Sequence, residues 1–222
     1  LFLKGGYNLG RTEKTHTSVG WLLPLIMLGF LLLTIIFPQV EGKTKSGVLF
    51  YSLKGPGAMH APLIVSLLVG LAIGFLAQRS RFCTMGAFRD LILFRQTHLF
   101  LGICALVVVA FITNLIVGQF HPGFAHQPVA HTMSIWNFGG MVVAGLAFAL
   151  AGGCPGRQLF LAGEGDGDAG IFVLGMIVGA AFSHNFALAS SPKGVGPHGI
   201  AAVIIGLLVC LFIGFTMRKK IA

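Results

Sequence analysis

Apolar residues run along this chain in six long blocks, and the short segments between them hold nearly all of the charge. The blocks lie at about 21–37, 61–78, 99–118, 138–152, 169–188 and 199–217. Pro38 ends the first, because its ring cannot continue a helix. A straight helix needs about 20 residues to cross the hydrocarbon core of a bilayer. The pattern therefore predicts six main helical spans. The fourth block is too short to cross alone unless it tilts or its continuation re-enters.

Composition turns this pattern into a solvent argument. The chain has 222 residues, of which 55% are hydrophobic and 9% charged, with a mean hydropathy of +0.89. Soluble domains carry about 25% charged residues, so this chain could not cover a water-exposed surface and the bilayer must be its solvent. The 32 glycines agree, since small residues let membrane helices approach closely. The expected fold class is an all-α membrane protein: a polytopic helical bundle with re-entrant or short half-helices.

The net charge of +9 is read first as the Lys/Arg bias of cytoplasmic loops, with an electropositive path for an anion as a second contribution. Eleven of the fifteen Lys/Arg fall in 1–20, 78–98, 153–168 and 218–222, which puts both ends of the chain in the cytoplasm. The 119–137 loop has His121, His126 and His131 but no Lys or Arg, as an outer loop would. Residues 1–20 read as a basic linker and 21–222 as one transmembrane domain. The start at Leu1, with no signal-peptide pattern, suggests the C-terminal part of a longer protein. The basic residues are scattered and no binding motif accompanies them, so nucleic acid is not an expected partner.

Chemistry concentrates at two cysteines. Gly152-Gly153-Cys154-Pro155-Gly156-Arg157 reads as a chain break followed by a helix start. The glycines permit unusual backbone angles and Pro155 suits a first helical turn. Cys154 would then sit at a helix N-terminus, where free N–H groups and the dipole favour negative charge and thiolate character. A tight turn with Cys154 as a small filler is the competing reading. Cys83 lies in Arg81-Phe82-Cys83-Thr84-Met85-Gly86, ahead of an amphipathic stretch that carries Arg89, Asp90 and Arg95. A half-helix from the cytoplasmic side would set Cys83 deep and Arg89 nearer the interface, with Asp90 pairing to Arg89. Both cysteines follow a Gly-Leu-Ala segment and an apolar continuation, a weak internal repeat against which chance similarity competes. Repeats that meet at a central site are common in transporters. Cys104 and Cys210 lie inside apolar runs and read as inert core residues.

Other polar positions carry weaker signals. Gly163-Glu164-Gly165-Asp166-Gly167-Asp168 lacks the later glutamate of a calcium loop; a loop capping the next helix through Asp168 fits better, with Asp166 as a gating alternative. His184 and Asn185 fall within the fifth block, where polar groups are costly and often functional; a hydrogen-bonded helix contact is the alternative. The histidines show no metal-binding spacing, so neither a metal nor a cofactor is expected.

The segments Arg81-Phe-Cys83-Thr-Met-Gly-Ala-Phe-Arg89-Asp90 and Ala151-Gly-Gly153-Cys154-Pro-Gly156-Arg157-Gln158 resemble the two cysteine motifs of the YeeE/YedE family, which includes a bacterial thiosulfate transporter. The second motif, with Ser183-His184-Asn185-Phe186 and Ser190-Ser191-Pro192-Lys193-Gly194, looks closest to the branch linked to selenium metabolism. The resemblance covers roughly 60–220. It implies an inner-membrane transporter that takes a selenium- or sulfur-containing anion into the cell past a narrow, cysteine-lined constriction. Cys83 and Cys154 match the motif positions; the candidate pathway residues taken with them are Arg89, Arg157, Gly153, Gly156, His184 and Asn185, and an apolar neck of Phe82, Met85 and Phe160 would exclude bulk water. The implied partners are the small anion, the lipid bilayer and a cytoplasmic sulfur or selenium carrier protein. The thiosulfate members have a further functional cysteine earlier in the chain, to which no residue here corresponds.

Two other function classes compete: a membrane-bound sulfur or selenium transferase with a cysteine nucleophile, and a subunit with inert cysteines. No His or Asp stands next to either motif cysteine as a general base, which counts against the transferase.

Overall fold

In a computed structural model that describes residues 16–38, 49, 51, 58, 60–123 and 131–217, every regular element is an α-helix. The order is α1 (Thr17–Gly20), α2 (Leu22–Ile36), α3 (Leu63–Ser80), α4 (Thr84–Phe94), α5 (His98–Ile116), α6 (Ser134–Leu150), α7 (Pro155–Gly163), α8 (Gly167–Asn185) and α9 (Gly199–Thr216). The chain is an all-α, multi-pass membrane protein. Six helical stretches are long and apolar enough to cross a bilayer: Thr17–Ile36, Leu63–Phe94, His98–Ile116, Ser134–Gly163, Gly167–Asn185 and Gly199–Thr216. None of the α5 side chains is buried, and large residues such as Ile64, Phe75 and Ile116 are exposed. Such faces are stable only where lipid covers them.

Two of the six stretches exceed what one crossing needs. Leu63–Phe94 has 32 residues and Ser134–Gly163 has 30, against about 20 for a straight span. The surplus is a second, short helix after a break. α4 has 11 residues and α7 has 9, so at 1.5 Å per residue they reach about 17 and 14 Å, roughly half of the hydrocarbon core. The expected short half-helices are therefore present, and each starts directly after a motif cysteine.

The expected spans differ little from the helices, with one informative exception. α6 begins at Ser134 rather than near 138. Its first turn is held by His131: the Asn137 amide donates to the His131 carbonyl at 3.0 Å and the Met133 N–H donates to His131 Nδ1 at 3.3 Å. That anchoring extends the helix into a segment whose polarity reads as loop. Of the linker expected over 1–20, residues 1–15 lie outside the described part, and Thr17–Gly20 form α1. His126 also lies outside it.

The chain divides into two compact units. One holds the described residues of 82–158 and 172–222; the other holds those of 14–81 and 159–171. In the first unit, α6 packs on α9, and α4 packs on both α5 and α6. Glycines set the α6–α9 approach: a Cβ added at Gly139 would lie 3.2 Å from Val203 Cγ1, and one at Gly206 would lie 3.0 Å from Val143 Cγ1. Each valine thus fills the notch of a glycine on the opposite helix, as small-residue membrane interfaces do. α4 meets α5 through the edge-to-face pair Phe88–Phe100, with centroids 5.7 Å apart.

In the second unit, the Gly163–Asp168 loop caps α8, but through a different residue than expected. Asp166 Oδ1 accepts the Ala169 N–H at 2.8 Å, so Asp166 performs the capping and Asp168 sits in the first turn. The Gly-Asp-Gly-Asp alternation offers two carboxylates two residues apart, and the chain uses the earlier one.

Candidate functional site

The site is built from two breaks of the same design. α3 ends at Ser80, and Arg81 follows in the left-handed region with φ +50°. Two residues later comes Cys83, extended at φ −148°, ψ 118°, as the N-cap of α4. α6 ends at Leu150, and Gly152 follows in the left-handed region with φ +73°. Two residues later comes Cys154, directly before α7. A left-handed residue ends a helix by turning the chain out of its spiral. Glycine does so without strain; Arg81 does so at a cost of about 1–2 kcal/mol.

Each sulfur then caps its own helix. Cys83 Sγ accepts the Gly86 N–H at 3.3 Å, and Cys154 Sγ accepts the Arg157 N–H at 3.4 Å. Both bonds run from the third residue ahead, the place where an N-cap side chain usually satisfies an orphan amide. Sulfur accepts weakly, so these contacts hold the thiols in place without consuming them.

The two caps lie near each other. The Cys154 thiol lies within electrostatic reach of the Cys83 thiol and of the first residue of α4, Thr84. Cys154 is buried at 6% exposure, whereas Cys83 is half-buried and Thr84 exposed. Both thiols are free. Two soft sulfur atoms and the N-terminal amides of two helices therefore lie together within one compact unit. Such a group offers weak donors and positive dipole ends to an anion.

A buried glutamine braces the second break. Gln158 is 7% exposed, and its Nε2 donates to the Ala151 carbonyl at 3.2 Å. A Cβ at Gly153 would lie 3.1 Å from that nitrogen. Gly153 thus admits the glutamine that ties the break to the end of α6. This residue is missed by reading the sequence; a polar side chain four residues after the cysteine was the available signal. A Cβ at Gly156 would meet nothing within 4 Å, so packing does not demand a glycine there.

The remaining expected residues are distributed unevenly. The Arg157 backbone serves Cys154, and its guanidinium Nη1 is shielded by protein. Arg89 is 54% exposed and forms the expected ion pair with Asp90 at 2.9 Å. His184 and Asn185 are the exposed last two residues of α8, and the Asn185 amide is spent on the Ala181 carbonyl of its own helix. Both close the apolar stretch Gly167–Asn185. Phe82 packs toward α5, its Cε2 3.3 Å from where a Gly102 Cβ would be. Phe160 belongs to the other unit. Cys210 is buried as expected, while Cys104 is exposed on α5 rather than in a core.

Comparison with known proteins decides the family. The model for sulphur transport matches residues 79–217, which include both cysteine breaks. The chain belongs to this sulphur-transport family. Among curated relatives, the thiosulfate transporter TsuA of Spirochaeta thermophila is 33% identical over 99 residues, covering 45% of this chain and 29% of that protein. The thiosulfate transporter TsuA of Escherichia coli is 27% identical over 107 residues, covering 48% and 30%. The chain thus matches less than a third of the length of either relative. No solved structure matches the chain.

Within the family's cysteine break, Gly86 is a direct probe of thiol placement. A Cβ there would lie 3.3 Å from Cys83 Cβ and 3.6 Å from its Sγ, tight enough to displace the side chain. Gly86→Ala is expected to change the alkylation rate of Cys83 by about twofold to fivefold, equivalent to 0.4–1 kcal/mol. The rate at Cys104, exposed on α5, should stay unchanged. Mass-spectrometric labelling of the purified protein measures both.

Proposed function

We propose that this protein carries a small sulfur-containing anion of the thiosulfate class across the bacterial inner membrane into the cell, past the paired thiols of Cys83 and Cys154. The observation that carries the proposal is the proximity of the two motif thiols, each at the N-terminus of a short helix. The family membership and the thiosulfate-transporting relatives support the same reading.

The chemistry suits transport. A thiosulfate-like anion is soft and polarizable, and a thiol offers it a weak S–H donor and a soft contact. Helix N-termini attract its charge through fixed dipoles. Binding of this kind is favourable enough to admit the anion and weak enough to release it, as conduction requires. The proposed path adds Arg157, Gly153 and Gly156 around Cys154, and Arg89 at the cytoplasmic approach. The Lys/Arg distribution supports cytoplasmic N- and C-terminal ends, with a cytoplasmic sulfur carrier as the recipient of the cargo. Transport is preferred over a transferase because each thiol takes an amide donor and, among the described residues, no general base stands with Cys154.

Uptake into membrane vesicles tests this. Vesicles containing the protein should accumulate sulfur-labelled thiosulfate saturably, and unlabelled thiosulfate should compete better than sulfate. Selenite in the same competition separates a selenium cargo from a sulfur one. Accumulation no greater than in empty vesicles would overturn the proposal.

A further inference from the structure

We propose that Gln158 is a positioning residue for transport: its buried side-chain amide locks the break between α6 and α7 and so holds the Cys154 thiol in one place for the passing anion. This inference rests on the transport reading above and gives a role to a residue outside the proposed path.

The backbone of the break is built to turn, and by itself it would also bend. α6 ends in a Schellman turn: the Gly153 N–H donates to the Phe148 carbonyl at 3.2 Å and the Gly152 N–H to the Ala149 carbonyl at 3.3 Å, with Gly152 left-handed. Gly156 follows in the first turn of α7. Three glycines within five residues give the chain wide freedom on both sides of Cys154. A binding group needs the opposite, because a donor about 1 Å out of place no longer meets its ligand well.

Gln158 supplies the restraint from both its backbone and its side chain. Its N–H donates to the Cys154 carbonyl at 3.1 Å, which closes the first turn of α7 on the cysteine. Its Nε2 reaches back along the chain and donates to the carbonyl of Ala151, the cap residue of α6, at 3.2 Å. The Arg157 N–H holds the sulfur itself at 3.4 Å. Cys154 is thus fixed at its carbonyl, at its sulfur and, through one side chain, to the helix before it. The glutamine is 7% exposed, and a polar group buried to that degree persists with a partner. A neutral amide suits the place, since burial would penalise the charge of a lysine.

Gly153 and the first break show that the brace is specific. Gly153 does not have a positive φ. Its lack of a side chain serves the approach of the amide, whose Nε2 is 3.1 Å from where a Cβ would be. In the break before α4, the residue four places after the cysteine is Ala87, at 0% exposure. The Ala87 N–H donates to the Cys83 carbonyl at 2.9 Å, but a methyl group has nothing to donate. The backbone bond is therefore common to both breaks, and the side-chain bond belongs to Cys154.

Two substitutions attack one bond from opposite sides. Gln158→Met keeps the length and bulk and loses the donor; Gly153→Ala keeps the glutamine and crowds its nitrogen. Each should raise the half-saturation concentration for thiosulfate uptake by about fivefold, the effect of one lost hydrogen bond. The maximal rate per inserted protein should stay within about twofold of the parental one, as loss of binding alone requires. Alkylation of Cys154, followed by mass spectrometry, should accelerate by a similar factor, and that of Cys83 should not. Combined, the two substitutions should cost less than the product of their separate losses, because both act on the same bond.

An unchanged half-saturation concentration in either variant overturns the inference. A rise with equal acceleration at Cys83 and Cys154 also overturns it, because the loosening is then general. So does a rise with no acceleration at Cys154. If Gln158→Met fails to insert, Gly153→Ala decides on the same readings. If the parental protein itself carries no thiosulfate, the transport reading fails, and the role in transport fails with it. Parental transport matched by both variants sinks the positioning role alone.

Discussion

Replacing Cys154 with alanine is expected to reduce thiosulfate uptake by about tenfold to a hundredfold. The substitution removes one S–H donor to a charged ligand, and hydrogen bonds to charged groups are worth about 1.5–3 kcal/mol, which converts to that range in rate or affinity. Cys83→Ala should behave similarly, because its sulfur lies near that of Cys154. The serine variants refine the test. Serine preserves a donor at both places but is smaller and harder, so a loss in Cys83→Ser and Cys154→Ser assigns the effect to the soft sulfur itself. Because the two thiols are neighbours, the double variant should lose less than the product of the single losses. Cys104→Ser, on the exposed face of α5, should transport at the parental rate. Initial uptake rates in vesicles, normalised to protein inserted, measure all of these. Parental rates in both single serine variants would end the idea of a thiol path.

The second large effect is on stability, in the link between α8 and α9. Gly196→Ala is expected to destabilise the protein by about 1–3 kcal/mol. A Cβ there would lie 2.5 Å from the Ala187 carbonyl oxygen and 2.7 Å from that of Ala189, distances no carbon and oxygen tolerate without a shift. Neither oxygen can retreat freely. The Ala187 carbonyl accepts the His198 N–H at 3.4 Å, and the Ala189 N–H is bound to the Ser183 carbonyl at 3.2 Å. Ala187 itself is held at φ +53°. The clash is therefore with backbone on both sides. Gly179→Ala is the control, since a Cβ there meets nothing within 4 Å and alanine favours a helix by about 1 kcal/mol. For a chain of this size each kcal/mol moves the unfolding midpoint by about 2–4 °C. Thermal unfolding in detergent should show a lower midpoint for Gly196→Ala and no loss for Gly179→Ala.

The helices were legible because lipid imposes a simple rule: long apolar runs must be helical to satisfy their backbone. The break at Cys154 was legible too, since Gly152, Gly153 and Pro155 mark it. The matching break at Cys83 is less so. Arg81 adopts a left-handed conformation that nothing in an arginine announces. The capping role of Asp166 over Asp168 depended on a register that alternating Gly and Asp leave open. His184 and Asn185 drew attention as polar residues inside an apolar block, but the helix ends with them. The approach of Thr84 to Cys154 joins segments 70 positions apart, and only tertiary packing reveals it.

Both sulfur atoms are pinned by amides of their own helices at 3.3 and 3.4 Å, so their rotamers are set before any cargo arrives. Ordering a free side chain on binding costs about 0.5–1.5 kcal/mol, and here that cost has already been met in folding. On the proposed transport reading, such a preorganised pair would need little rearrangement to accept an ion or to relinquish it. Residence time then depends on the strength of the contact itself, a property suited to rapid turnover at modest affinity.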